Sequence, residues 1–189
     1  MILIDKKEFP VILIGSSTGG PAIVESLLKG IDPGKYAVLI AQHMPEGFTS
    51  KWAERLNNLT PFNVSEADDG VFIECGKAFV APGNKHLLLN KDRLALSSDP
   101  PVNRFRPSID VLFESALTHP SEKIYAVILT GMSNDGVRGI VSLKENGSVT
   151  IAQDEKTSAV FGMNKEAIDK GGVTYVMSPG EMIEFFNRI

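Results

Sequence analysis

Apolar and polar positions alternate in blocks along the chain. Val11–Ile14 is an unbroken apolar run, and within one residue the chain turns small and polar, G-S-S-T-G-G, ahead of Pro21. The run predicts a buried strand and the polar stretch a tight turn. Pro21–Ile31 predicts a helix, with Ile23, Val24, Leu27, Leu28 and Ile31 on one face and proline in its first turn. Gly30 and Pro33-Gly34 end it. Tyr36–Gln42 is nearly continuous in apolar residues, as a central strand covered on both faces should be, and it ends in Gln42-His43-Met44-Pro45. Thr49–Leu59 predicts a second helix, with Trp52, Leu56 and Leu59 at helical spacing beside Phe48.

The pattern shortens between Phe62 and Ser98. Phe62–Ala67, Val71–Ile73, Ala78–Ala81, His86–Asn90 and Arg93–Ser97 are strand-like pieces, separated by turns at Asp69-Gly70, Pro82-Gly83-Asn84 and Lys91-Asp92. The expectation is a set of hairpins, an antiparallel addition around residues 62–98. Pro100 to Pro107 is an irregular connection carrying Arg104 and Arg106, after which Ser108 caps a helix reaching about Thr118. Tyr125–Leu129 predicts another buried strand, ending in T-G-M-S-N-D-G. A helix over Val137–Glu145 follows, then a strand over Val149–Ala152 and a loop over 153–162. A short helix over Lys165–Lys170, a strand over Val173–Met177 and a closing helix over Gly180–Arg188 complete the chain. Residues 1–9 are a lead-in, with an edge strand as one reading of them. Strands alternating with helices predict an α/β fold: an open, mostly parallel, three-layer doubly wound sheet with right-handed crossovers. No repeat or interdomain linker interrupts it, so the expectation is one domain over 1–189, with residues 1–10 as lead-in.

Composition narrows the function. The chain has 189 residues and a formal net charge of −4, which speaks against a general nucleic-acid binder. Its single cysteine, Cys75, permits no internal disulfide and fits a reducing cytoplasm. No signal peptide and no run of about 20 apolar residues is present, so no membrane insertion is expected. Three scattered histidines and one cysteine offer no metal-ligand spacing, so neither a metal nor another cofactor is called for.

In open parallel sheets, sites form outside the carboxyl ends of the strands. Three buried strands here end in polar segments that carry Ser17, His43 and Asp135. A hydroxyl, an imidazole and a carboxylate suffice to activate a serine: the imidazole takes its proton and the carboxylate fixes the imidazole tautomer. Gly15 and Gly19 flank Ser17 as G-x-S-x-G, a spacing that lets a serine project from a sharp strand-to-helix turn. The order Ser, His, Asp differs from that of the α/β-hydrolases. From the residues alone, Ser16 and Thr18 are alternative hydroxyls, and Asp154, after the strand V-T-I-A-Q, is an alternative carboxylate. A turn, cap or core role is the structural alternative for each residue. His86 suits a half-exposed strand position, His119 a helix C-terminus, and Cys75 an inert turn. A dinucleotide site is disfavoured: serine stands where G-x-G-x-x-G needs its middle glycine, and the second strand ends in Gln42-His43 rather than an acid.

Six segments in order, I-G-S-S-T-G-G-P, A-Q-H-M-P-E-G-F-T, A-P-G-N-K-H, P-V-N-R-F-R-P-S-I-D-V-L-F-E-S, I-L-T-G-M-S-N-D-G and I-A-Q-D-E-K-T-S-A-V-F-G-M, resemble the catalytic domain of the CheB family, the protein-glutamate methylesterases of bacterial chemotaxis. The resemblance implies a modified Rossmann-like domain with Ser17 as nucleophile, His43 as base and Asp135 as orienting acid. It selects Ser17 over Ser16, and it implies an oxyanion site at the backbone amides of Thr18 and Met132. It implies demethylation of glutamate γ-methyl esters, and deamidation of glutamines, on the cytoplasmic helices of methyl-accepting chemoreceptors. Arg104 and Arg106 are candidate receptor contacts, with structural salt bridges as the alternative. The competing function is a binding module of the same fold that docks on a receptor without turnover. Two positions depart from the family: Ser133, where T-G-M-G is usual, and Asn164, where G-M-P is usual. Few residues precede the first strand, so no receiver domain is expected within this chain.

Overall fold

Strand β1 (Val11–Ser16) is hydrogen-bonded on both edges, to β2 (Ala37–Gln42) and to β7 (Ile124–Ile128), both parallel to it. A computed structural model describes residues 9–189. From β2 the sheet extends to β4 (Lys77–Val80) and β3 (Asn63–Glu66), and from β7 to β8 (Val149–Gln153) and β9 (Tyr175–Met177). The order is β3-β4-β2-β1-β7-β8-β9, with every neighbouring pair parallel among the described residues. The chain first builds outward on one side of β1 and then crosses to the other. The reversal lies between β1 and β7, the place where such sheets open a crevice.

The strand residues are apolar on both faces because both faces are covered. Ile12, Ile14, Val38, Ile40 and Val127 pack under α1 (Gly20–Gly30), α2 (Phe48–Leu59) and α6 (Pro179–Arg188). Leu13, Leu39, Ala41, Ala126 and Ile128 face α3 (Ile109–Ser115), α4 (Val137–Glu145) and α5 (Met163–Asp169). This is the expected three-layer α/β architecture. The element boundaries agree with the sequence pattern to within about two residues at most ends. The proposed edge strand over residues 1–9 falls almost wholly outside the described residues.

The stretch 62–98 divides in two. Its antiparallel part is the hairpin of β5 (His86–Asn90) and β6 (Arg93–Ser97), a separate two-stranded sheet that packs Leu87, Leu89 and Leu94 into the α3 side of the core. Its earlier part is not a hairpin: β3 and β4 are parallel and extend the main sheet. Asp69-Gly70 is a turn within the crossover between them, with Gly70 at φ 75. Val64, Ala78 and Val80 pack against α2. Val71–Ile73 forms no strand and touches β6 through one bridge, Phe72 to Arg93. No helix among the described residues is long and apolar enough to cross a membrane.

Candidate active site

The carboxyl ends of β2, β1 and β7 lie side by side, with β1 in the middle. Ser16 is in register with Gln42, so Ser17 and His43 are the next residues of adjacent strands. Pairing continues one step further: the His43 amide donates to the Ser16 carbonyl at 3.0 Å, and the Ser17 amide to the Thr130 carbonyl at 3.1 Å. The chain then turns into α1 through Gly19, whose φ of 83° is left-handed. A Cβ on Gly15 would lie 2.2 Å from Ile109 Cγ2, and one on Gly19 2.6 Å from Ala159 Cβ. The glycines on either side of Ser17 therefore permit close packing there.

The three neighbouring hydroxyls have different surroundings. Ser16 is fully buried and donates to Gln42 Oε1 at 2.6 Å. Thr18 is exposed. Ser17 is 8% exposed, and its Oγ has no hydrogen-bond partner among the described residues.

Asp135 is completely buried beyond β7, at the N-terminus of α3. Its Oδ2 accepts from His43 Nε2 and from the Ile109 amide, both at 2.7 Å. Its Oδ1 accepts from Ser108 Oγ at 2.7 Å, Asn103 Nδ2 at 3.1 Å and the Asp110 amide at 3.3 Å. Burial pushes this carboxyl up, but hydrogen bonds from His43, Ser108, Ile109 and Asn103 outweigh it and hold the group below its ordinary range. An ionised Asp135 can only accept, so the proton it receives from His43 sits on Nε2. His43 Nδ1 is then the lone-pair nitrogen, and it is buried without a partner. The ring stacks face to face on Phe105, with centroids 3.6 Å apart. His43 and Asp135 come from strands on opposite sides of β1. Their hydrogen bond therefore joins the segments that follow the two neighbours of β1, and Ser17 follows β1 itself.

The amides of Thr18 and Met132 donate to no partner among the described residues. Met132 follows Gly131, where a Cβ would fall 2.6 Å from Ser17 Cβ. Both amides thus belong to the immediate surroundings of Ser17. A recess of about 290 Å³ opens beside His43, lined by Met44, Arg104, Phe105 and Pro107 among others.

Of the remaining candidates, Arg104 and Arg106 line this recess and the others do not. Asp154 accepts from the amide and hydroxyl of Thr157, not from His43. Arg106 donates to Asn84 Oδ1 and to the Ser98 and Asp99 carbonyls at 2.7 and 2.9 Å, a structural clamp. Arg104 is exposed at the recess, with no hydrogen-bond or ion-pair partner among the described residues. His119 contacts the Lys91 carbonyl, and Cys75 is exposed. His86 is not half-exposed but 1% exposed. The hairpin packs it on the 100–108 segment, where it contacts the Pro100 carbonyl and accepts from the Ser108 amide, both at 3.1 Å. Ser133 Oγ accepts from the Asp135 amide at 3.2 Å. Asn164 is buried and donates to the Gln153 carbonyl and Ser158 Oγ. Among the described residues, no group of three or more His, Cys, Asp or Glu side chains could hold a metal ion.

The sequence pattern points to the strand-end residues but not to Asn103, Phe105 and the Ser108 hydroxyl as partners of His43 and Asp135. All three lie in or just after the Pro-rich connection before α3. The only signal there was the concentration of prolines and polar residues around a predicted cap.

A doubly wound α/β unit with a hydroxyl, an imidazole and a buried carboxylate gathered at the carboxyl end of its central strands is the class that fold and site define. Residues 12–186 match the family model described as CheB methylesterase, and the chain belongs to that family. It is 48% identical over 176 residues to a protein-glutamate methylesterase/protein-glutamine glutaminase of Geobacter metallireducens, covering 91% of this chain and 48% of that protein. It is 46% identical over 171 residues to the protein of the same name from Salmonella typhi, covering 88% and 49%. The crystal structure of the Thermotoga maritima CheB methylesterase catalytic domain superposes with a TM-score of 0.90 at 33% identity, covering 96% of this chain and 98% of that one. The chain spans about half the length of the curated relatives it matches.

Proposed function

We propose that the chain is the catalytic unit of a protein-glutamate methylesterase, with Ser17 as nucleophile, His43 as base and Asp135 as the carboxylate that orients the base. The observation that carries this reading is the His43–Asp135 hydrogen bond, which leaves Nδ1 as the lone-pair nitrogen while Ser17 continues the strand between the two segments that supply them. Ser17 Oγ attacks the ester carbonyl as Nδ1 takes its proton. Asp135 stabilises the imidazolium, and the unpartnered amides of Thr18 and Met132 receive the tetrahedral oxyanion. The intermediate collapses with cleavage of the C–O bond to the methoxy group, which takes the proton from Nδ1 and leaves as methanol, and water activated at the same nitrogen clears the acyl-enzyme. A glutamine side chain would pass through the same acyl-enzyme with ammonia as leaving group, in keeping with the double name of the relatives.

The substrates on this reading are γ-methyl glutamates on the cytoplasmic helices of methyl-accepting chemoreceptors, which places the enzyme in the cytoplasm. Arg104, exposed at the rim of the recess, is the substrate contact of the two arginines, since Arg106 is committed to backbone carbonyls. The test is methanol release from methylated receptor membranes, with fluorophosphonate labelling of the same protein. Wild type should release methanol and take the label. Ser17→Ala should lose both while keeping its melting temperature, with turnover down by about a millionfold. A wild-type protein that neither turns over nor labels would instead be a binding module.

A further inference from the structure

The connection ahead of α3 contains a two-residue turn, Val102-Asn103-Arg104-Phe105, closed by reciprocal backbone hydrogen bonds between Val102 and Phe105 of 3.1 and 2.8 Å. Its central residues have φ values of 52° and 73°, as a tight hairpin loop of the I′ kind requires. Asparagine tolerates that region better than most side chains, and arginine does not. The strained turn delivers two side chains to the site. Phe105 stacks on His43. Asn103 Nδ2 donates to Asp135 Oδ1 at 3.1 Å and to Asp110 Oδ2 at 2.8 Å.

Asp110 is a second buried carboxylate, 1% exposed, that the proposed chemistry does not use. Its other oxygen accepts from the Gly139 amide in the first turn of α4 at 2.8 Å. The two carboxylates are therefore exchanged between helices. Asp135, just ahead of α4, accepts the first amides of α3, while Asp110, on α3, accepts an amide of α4. Asn103 joins them with the two hydrogens of one amide group. Its orientation is unambiguous, because the flipped amide would aim its oxygen at two carboxylates.

We propose that Asn103 and Asp110 are positioning residues, which hold the Asp135 carboxylate in the rotamer that receives His43 Nε2–H. Burial and the nearby Asp135 charge raise the Asp110 carboxyl. Two buried acids side by side repel, and without a shared donor that repulsion would turn Asp135 away from its present direction. The Asn103 amide stands between them and lets both keep their place. This rests on the functional reading above as far as turnover is concerned, but the geometry can be read without turnover.

Asn103→Gly accepts the left-handed backbone and removes the side chain that carries the amide. In the free protein, the ring proton of His43 bound toward Asp135 can be followed by nitrogen-edited NMR. The expected result for Asn103→Gly is an upfield move and faster solvent exchange of that proton, with a melting temperature close to wild type. Turnover of methylated receptor should fall about ten- to a hundredfold in kcat with KM within about twofold, as for a misplaced catalytic group. Asp110→Asn removes one of the two charges, so Asn103→Gly in that background should move the resonance less than it does alone. An unchanged His43 resonance in Asn103→Gly would overturn the proposal, as would a loss of melting temperature with kcat intact, the mark of a purely structural link. If wild type proves inactive, the functional reading fails, and the resonance alone decides the positioning claim.

Discussion

Five donors converge on the two oxygens of Asp135: His43, Ile109, Ser108, Asp110 and Asn103. That exceeds the roughly four lone-pair directions a carboxylate offers, so no rotation of the group is free. An amide is a poor substitute, because whichever oxygen became NH2 would face at least two donors. Asp135→Asn should therefore lower turnover about ten-thousandfold through the wrong imidazole tautomer. It should also destabilise the fold by about 1–3 kcal/mol per buried group left unpaired. The pH dependence separates the charge from the shape. The folded-state pKa of Asp135 lies below its unfolded value of about 3.9, so its stabilisation is complete above that pH and is lost as pH falls through the folded value. Thermal melts of wild type and Asp135→Asn between neutral pH and pH 3 should show a gap that narrows in the acid range. A constant gap would mean that shape, not charge, sets the difference.

At the scale of elements, the turn Val102–Phe105 stands out because its strain is local and its contacts are not. Arg104 at φ 73 occupies a region costing a non-glycine residue about 1–3 kcal/mol. The turn holds because its neighbours are anchored: Phe105 on His43, Asn103 on two carboxylates, and Arg106 on the carbonyls of Ser98 and Asp99. Arg104 itself supplies none of that anchoring. Arg104→Gly should then stabilise the protein by about 1 kcal/mol in denaturant melts, since glycine takes left-handed φ without strain. On methylated receptor the same variant should raise KM if the exposed guanidinium meets the substrate. A variant less stable than wild type would show that the arginine supports the turn after all.

For the whole molecule, the parallel sheet was legible because its central strands are apolar on both faces and end abruptly in polar residues. Val11–Ile14, Tyr36–Gln42 and Tyr125–Leu129 carry that signature, and the rule that sites gather at carboxyl strand ends brought Ser17, His43 and Asp135 into one frame. The direction of β3 and β4 was not legible. Strands this short, with an Asp-Gly turn nearby, suit either direction, and the face they bury against α2 is the same in both. Nor were Asn103, Phe105 and Asp110, because an irregular connection has no period from which a facing side can be read. The same burial pattern ranks the sheet by stability. Ile12, Leu13, Ile14, Val38, Leu39, Ile40, Ala126 and Val127 are fully buried at its centre, while Tyr175 and Val176 on the edge strand β9 are 44% and 51% exposed. Amides held by many buried contacts open only when the whole fold opens, whereas a three-residue edge can fray alone. Hydrogen exchange under rising denaturant should show β1, β2 and β7 converging on the global unfolding free energy, with β9 exchanging through smaller openings. Equal protection at β9 would place that edge in the same cooperative unit as β1, with the α6 contacts beneath it as the cause.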